Sequence, residues 1–208
     1  MSSGVLVPLR VGHEPGEVDL AAAEAAAGDF LAALGVGLGA EGLRGTPGRM
    51  ARAYAEMFRP RPFDLTTFPN DEGYDELVLA RSLPVLSVCE HHLLPFVGIA
   101  HVAYLPGERI LGLSKLARVV EHFARRPQVQ ERLTQQVADW LHSHLAPRGV
   151  GIVIEAEHLC MTVRGVQASG STTVTSALHG LLRQDAGSRA EFFALAFRPA
   201  SGTEQAAS

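Results

Sequence analysis

Two short segments, far apart in the chain, have to meet. Cys89 and Cys160 are the only cysteines; Cys89 leads into Glu90-His91-His92, and Cys160 follows His158-Leu159. Two thiolates and one imidazole form a ligand set that zinc accepts, and three protein ligands leave a fourth tetrahedral position for water. Cys89, His92 and Cys160 supply such a set, with His91 and His158 beside it as proton carriers, the make-up of a hydrolytic centre. Cys89 and His92 are three residues apart, so one tight turn can aim both at one ion. If residues 155–163 are extended, His158 and Cys160 project from one face of a strand. The residues leave two alternatives open. The cysteines could be small buried apolar side chains, or the zinc could be structural, with His91 or His158 as a fourth ligand.

The 208 residues are 47% hydrophobic, enough for one sizeable core with a terminal extension. A net charge of −4 gives no general attraction to nucleic acid or to a membrane surface. No apolar run reaches the roughly 18 residues of a membrane span, and no signal-peptide pattern opens the chain. Histidines beside both cysteines favour metal over a disulfide, hence a reducing compartment. A soluble, cytoplasmic protein is expected.

Of 18 basic residues, Lys115 is the only lysine. It lies in Gly112-Leu113-Ser114-Lys115-Leu116-Ala117-Arg118, which reads as a helix start with Ser114 as N-cap. Lys115 and Arg118 then share one face of the first turn. Cations are disfavoured at that end of a helix unless an anion is present, so a polyphosphate partner is indicated. Chance use of lysine, or a solvated helix face, would give the same residues.

The chain divides into an arm without periodicity (1–18), a helical region (19–74), an α+β domain (75–198) and a polar tail (199–208). Asp19 caps a helix reaching Leu34, and Thr46-Pro47 opens another ending near Phe58. Residues 59–70 read as a proline-bearing loop. Strands are expected over 76–88 and 93–105, with a short return ending near Gly112. Helices follow over 114–125 and 127–145, the second with a core stripe of Val129, Leu133, Val137, Trp140 and Leu141. Strands are expected over 149–158 and 159–167, an ambiguous segment over 172–182, and a final helix over 186–197. Two strands, two helices and two strands make an α+β plan, an antiparallel sheet with helices on one face.

Four stretches resemble the GTP cyclohydrolase I family. They are Ser87-Val88-Cys89-Glu90-His91-His92 with Pro95-Phe96, the Leu111–Arg118 run, Arg126-Pro127-Gln128-Val129-Gln130-Glu131-Arg132-Leu133-Thr134, and the His158–Gln167 run. The likeness spans about residues 41 to 195. Gly48 departs from it, where the family often carries a charged residue, and Ala168-Ser169-Gly170 varies.

The resemblance implies a tunnelling fold (T-fold) assembled as a homodecamer with active sites between subunits. It also implies conversion of GTP and water to 7,8-dihydroneopterin triphosphate and formate, the first step of tetrahydrofolate and pterin biosynthesis. Cys89, His92 and Cys160 would hold Zn2+, and water activated there would attack guanine C8. His158 would protonate N7, and His91 would assist proton transfer near the ribose. Ser114, Lys115 and Arg118 would bind substrate, with Gln130 and Glu131 at the guanine edge, where a carboxylate can accept two neighbouring N–H groups. Arg164, four residues after Cys160, would face the same cavity. A reductase of similar fold would need a nucleophilic cysteine and a nicotinamide, and a binding module would not need both His91 and His158.

Overall fold

Val150, Ile152, Ile154 and Ala156 face one way along a strand, while Gly151 and Val153 face the other. Each set meets a different hydrophobic layer. The computed structural model describes residues 5–7 and 16–198. Its elements in chain order are β1 (Val5–Val7), α1 (Leu20–Ala33), α2 (Glu41–Arg44), α3 (Thr46–Met57), β2 (Leu65–Pro69), β3 (Val78–Cys89), β4 (Pro95–Leu105), β5 (Arg109–Leu111), α4 (Ser114–Ala124), β6 (Pro127–Gln128), α5 (Gln130–Leu145), β7 (Gly149–His158), α6 (Leu159–Thr162), β8 (Thr173–Gly180), α7 (Leu181–Gln184) and α8 (Ala186–Ala196).

The central sheet has the order β6-β3-β4-β7-β8. Its pairs are antiparallel except β6, which runs parallel to β3. Helices α4 and α5 cover one face with Leu116, Val119, Val120 and Phe123 and with Leu133, Val137, Trp140 and Leu141, all buried. Each such side chain contributes about 1.5–3 kcal/mol on leaving water, so this layer fixes which sheet face is the core. At Gly98 a Cβ would collide with the Glu155 carbonyl oxygen, and glycine lets β4 and β7 close there.

A second, three-stranded antiparallel sheet, β1-β2-β5, sets the start of α4. The Gly112 N–H donates to Thr66 O at 3.1 Å, and the Leu111 N–H donates to the buried Tyr104 hydroxyl at 3.0 Å. In the N-terminal hairpin, α1 lies on α3 with Gly28 against Pro47. Asp19 caps α1 by accepting from the Ala22 N–H, as its sequence position indicates. A side chain at Gly48 would meet the Glu24 carboxylate; the acid of α1 occupies the space beside that position.

Several expectations are corrected. Helices do not lie on one sheet face only: Phe192 and Ala196 of α8, with Leu182 of α7, cover Ala103, Leu105 and Val153 on the other. The sheet is mixed through β6, because Pro127-Gln128 pairs with Val88-Cys89 instead of opening a helix. Residues 59–70 are not all loop, since β2 forms there with Leu65 fully buried. Val5–Val7, within the expected arm, pairs with β2. Residues 159–167 are not a strand; β7 stops at His158 and Cys160 sits on the single turn α6. Ser114 is the first helical residue and makes no cap, because Leu113 already has helical dihedrals. The remainder of the arm through residue 15, and the tail 199–208, lie outside the described residues. Among the described residues no helix is long and apolar enough to cross a membrane.

Candidate functional site

The end of β3 carries Cys89 into a tight turn that returns through Pro95 of β4. The turn is closed by its own backbone: the Cys89 N–H donates to Leu94 O at 2.9 Å and the Leu93 N–H to Cys89 O at 2.8 Å. Leu93 takes φ +53°, a left-handed conformation uncommon for a branched side chain. Three neighbours hold the turn in place. The Tyr54 hydroxyl of α3 donates to Leu93 O at 3.0 Å. The Glu90 N–H donates to Gln128 O at 3.0 Å. Arg132 of α5 grips the Glu90 carboxylate with two bonds, 2.6 and 3.0 Å, a bidentate fork. The Arg132 hydrogen bond holds the Glu90 carboxyl below the usual carboxylate range.

This turn presents Cys89 and His92 to Cys160, which α6 brings in from the end of β7. One ligand atom from each of the three lies within 4.8 Å of the others, a group able to hold a metal ion. Cys89 is buried, Cys160 half-buried and His92 exposed, and both cysteines are free thiols. Burial raises the Cys160 thiol above its ordinary range, and the adjacent Cys89 sulfur raises it further. Two thiolates this close repel, and a cation between them removes that penalty.

The other expected site residues divide into two groups. His91 Nδ1 is 3.8 Å from Cys89 Sγ. Arg164 NH1 donates to His92 Nε2 at 3.1 Å, so Arg164 reaches the centre although it does not share a strand with Cys160. The His158 ring stacks on buried Phe96, centroids 4.5 Å apart, and its Nε2 is 2.7 Å from Gln130 Oε1. Burial lowers the His158 pKa, while the nearby Glu131 carboxylate pulls it upward. Gln130 is buried, and its amide nitrogen donates to Ile154 O, Thr173 O and Thr175 Oγ1. Its side chain therefore ties β7 and β8 to α5 and holds His158, while the adjacent Glu131 is exposed.

Ser114, Lys115 and Arg118 lie together at the start of α4, but Lys115 does not line the cavity that the other two share. Ser114 and Arg118 line a cavity of about 500 Å³ with Leu86, Ser87, Glu121 and Arg125, among others, and none of Cys89, His92 and Cys160 lines it. The far end of α4 sits by the metal turn, where Ser87 Oγ donates to Ala124 O at 2.6 Å. Ser114 begins α4 and Ala124 ends it, so at about 1.5 Å per residue the helix carries its two ends about 15 Å apart.

Sequence reading missed Tyr54, Arg132 and Gln128 as supports of the turn. Gln128 and Arg132 lie in one of the stretches that carry the resemblance, beside Gln130 and Glu131. For Tyr54 no local pattern signals a partner 39 positions away.

Known proteins match this chain over most of its length. Residues 23–196 match the family description GTP cyclohydrolase I. GTP cyclohydrolase 1 of Mycobacteroides abscessus is 53% identical over 193 residues, covering 90% of this chain and 95% of the relative. The protein of the same name from Streptomyces avermitilis is 55% identical over 176 residues, covering 82% and 88%. That from Aquifex aeolicus is 53% identical over 166 residues, covering 80% and 90%. Matches of that extent, running through both the metal turn and the start of α4, place this chain in the GTP cyclohydrolase I family.

Proposed function

We propose that the protein is a zinc-dependent GTP cyclohydrolase I, converting GTP and water to 7,8-dihydroneopterin triphosphate and formate. The observation that carries the proposal is the convergence of Cys89, His92 and Cys160 on one point, in a chain of this family. The donor set fits the ion: two sulfurs and one imidazole suit zinc, and three ligands leave an open position. When bound, zinc supplies Lewis acidity that makes water nucleophilic near neutral pH.

The chain's own residues account for the rest. Glu131 is exposed beside His158 and accepts the N–H groups of the guanine edge. His158, half-buried with burial lowering its pKa, is the proton carrier for the imidazole ring of guanine. A neighbouring carboxylate and a bound base together shift it toward donation. His91, exposed next to the ligands, handles the ribose end. Arg164 adds positive charge at the metal turn. Lys115 and Arg118, with Ser114, take the triphosphate. Both thiols face a common centre with His92, so neither stands as a lone nucleophile for a reductase.

The fold assigned to this reaction is a T-fold, with 75–198 as its catalytic domain and 19–74 as a helical extension, and the assembly is a homodecamer with shared sites. Three observations support sharing. The metal group and the Lys115 group sit at opposite ends of α4. Strand β8 leaves one long edge of the sheet unpaired among the described residues, an invitation to pairing with a second copy. Leu86, Val97 and Val174 are 50, 41 and 53% exposed on strands β3, β4 and β8. The experiment is complementation. Cys160→Ala and Lys115→Ala subunits, assayed at a limiting GTP concentration where each alone is nearly inactive, are unfolded, mixed and reassembled. Sites built between copies recover about a quarter of wild-type formate release, since random neighbours restore that fraction of intact interfaces. No recovery in assembled mixtures would place each site within one subunit.

A further inference from the structure

One carboxylate gathers three guanidinium groups at the mouth of the cavity beside Ser114. Glu121 Oε1 is 2.9 Å from Arg61 Nε and 2.9 Å from Arg125 Nε, and Glu121 Oε2 is 3.2 Å from Arg118 NH1. Arg118 and Glu121 lie on α4, and Arg125 is the residue that caps its C-terminal end. Arg61 comes from the segment between α3 and β2, where Pro60 and Pro62 on either side restrict the backbone. Arg125 is anchored a second time, donating to Glu56 O at 2.9 Å. All four charged side chains line the cavity of about 500 Å³ that Ser114 also lines.

As a stability device the cluster is weak, because Arg61 and Arg118 are 60 and 45% exposed and exposed ion pairs contribute little. Its charge balance suits another task. Three cations against Glu121 leave two positive charges in excess in the cluster, and one after Glu56, which also lines the cavity, is counted. A lone carboxylate beside Arg118 would orient the guanidinium but repel a phosphate. Shared among three arginines, Glu121 orients without neutralising. Arg118 engages it through NH1, leaving donors on the other side of the fork for a second oxyanion.

We infer that Glu121 is a positioning residue for polyphosphate recognition: it fixes Arg118 and draws Arg61 into the same anion-receiving cluster. This rests on the triphosphate reading of Lys115 and Arg118 given above. Arg61 is thereby a further contact for the phosphate end, supplied from outside α4.

The test compares GTP and guanosine affinities in the zinc-loaded assembly for Glu121→Gln, Arg61→Ala, Arg118→Ala and the double variant Glu121→Gln/Arg118→Ala. Glu121→Gln is expected to weaken GTP about tenfold, the low end for one charge-assisted hydrogen bond, with guanosine affinity and zinc content held. Arg61→Ala should weaken GTP alone by a smaller factor. The double variant should bind GTP worse than Arg118→Ala by no more than the Arg61→Ala factor, because Glu121 acts only through Arg118 and Arg61. Additive losses, equal losses for GTP and guanosine, or no loss in Glu121→Gln overturn the inference. If Arg118→Ala and Lys115→Ala also leave GTP affinity unaltered, the triphosphate reading itself fails. If those two weaken GTP and Glu121→Gln does not, only the positioning role falls.

Discussion

His158 is held by Gln130 through a bond whose direction the surroundings decide. The Gln130 amide nitrogen faces two carbonyl oxygens, Ile154 O at 3.1 Å and Thr173 O at 2.9 Å. Its Oε1 must therefore be the atom 2.7 Å from His158 Nε2, and the imidazole donates from Nε2. Replacing Gln130 by alanine frees the ring and leaves those carbonyls without this donor. Gln130→Ala should lower stability by about 1–3 kcal/mol and cut formate release, read by denaturant midpoints and turnover. Normal turnover with reduced stability would limit Gln130 to tying the strands together.

His158→Ala should retain zinc and lose ring opening. Removing a general acid or base costs about 10²–10⁴-fold, and the residue's ring rests on Phe96 outside the three-ligand group. Metal analysis beside formate release separates the two effects. Zinc loss in this variant would make His158 a ligand.

Lys115→Ala should weaken GTP binding much more than guanosine binding, by roughly 10- to 150-fold, the range of charge-assisted contacts. Lys115→Arg keeps the charge in another shape and should fall between. Titration calorimetry with both ligands checks this; equal losses would remove the lysine from the triphosphate.

His122 gives the protein an acid-sensitive point. Neither ring nitrogen has a partner among the described residues, and the ring lies edge-on to Phe63 and Phe123. Burial, helped by the Arg126 charge, lowers its pKa from 6.5 to about 4. The folded protein resists protonation that the unfolded chain accepts. This contribution is therefore complete above pH 6.5 and is lost as pH falls toward 4, up to about 3 kcal/mol. Denaturant midpoints at pH 7 and pH 5 should differ less for His122→Phe than for wild type. An equal difference would assign the acid sensitivity elsewhere.

Periodicity made the main elements legible. Leu116, Val119, Val120 and Phe123 repeat at helical spacing, and they are the buried stripe of α4. Cys89, His92 and Cys160 were legible as a set because the residue types are rare here and their chemistry is restrictive. The route by which Cys160 arrives was not. Leu159-Cys160-Met161-Thr162-Val163 has an apolar, β-branched composition suited to a strand, yet it forms one helical turn, so tertiary context outweighs a weak local preference. Pro127 reads as a helix opener, but a two-residue parallel pairing with β3 claims it first. The Gln130 tether was hidden because its acceptors lie 24 and 43 positions away. Arg61 was hidden for the same reason: its partner Glu121 belongs to a helix beyond four intervening strands.

The central claim is that Cys89, His92 and Cys160 hold the zinc on which GTP ring opening depends. The direct measurement is zinc content and GTP-dependent formate release, taken on the same preparations of wild type and Cys160→Ala. The account predicts one zinc per chain in wild type, formate formed in step with a pterin chromophore, and loss of both metal and formate in Cys160→Ala. Stoichiometric zinc retained in Cys160→Ala, or formate released at the wild-type rate by the metal-free protein, would contradict it.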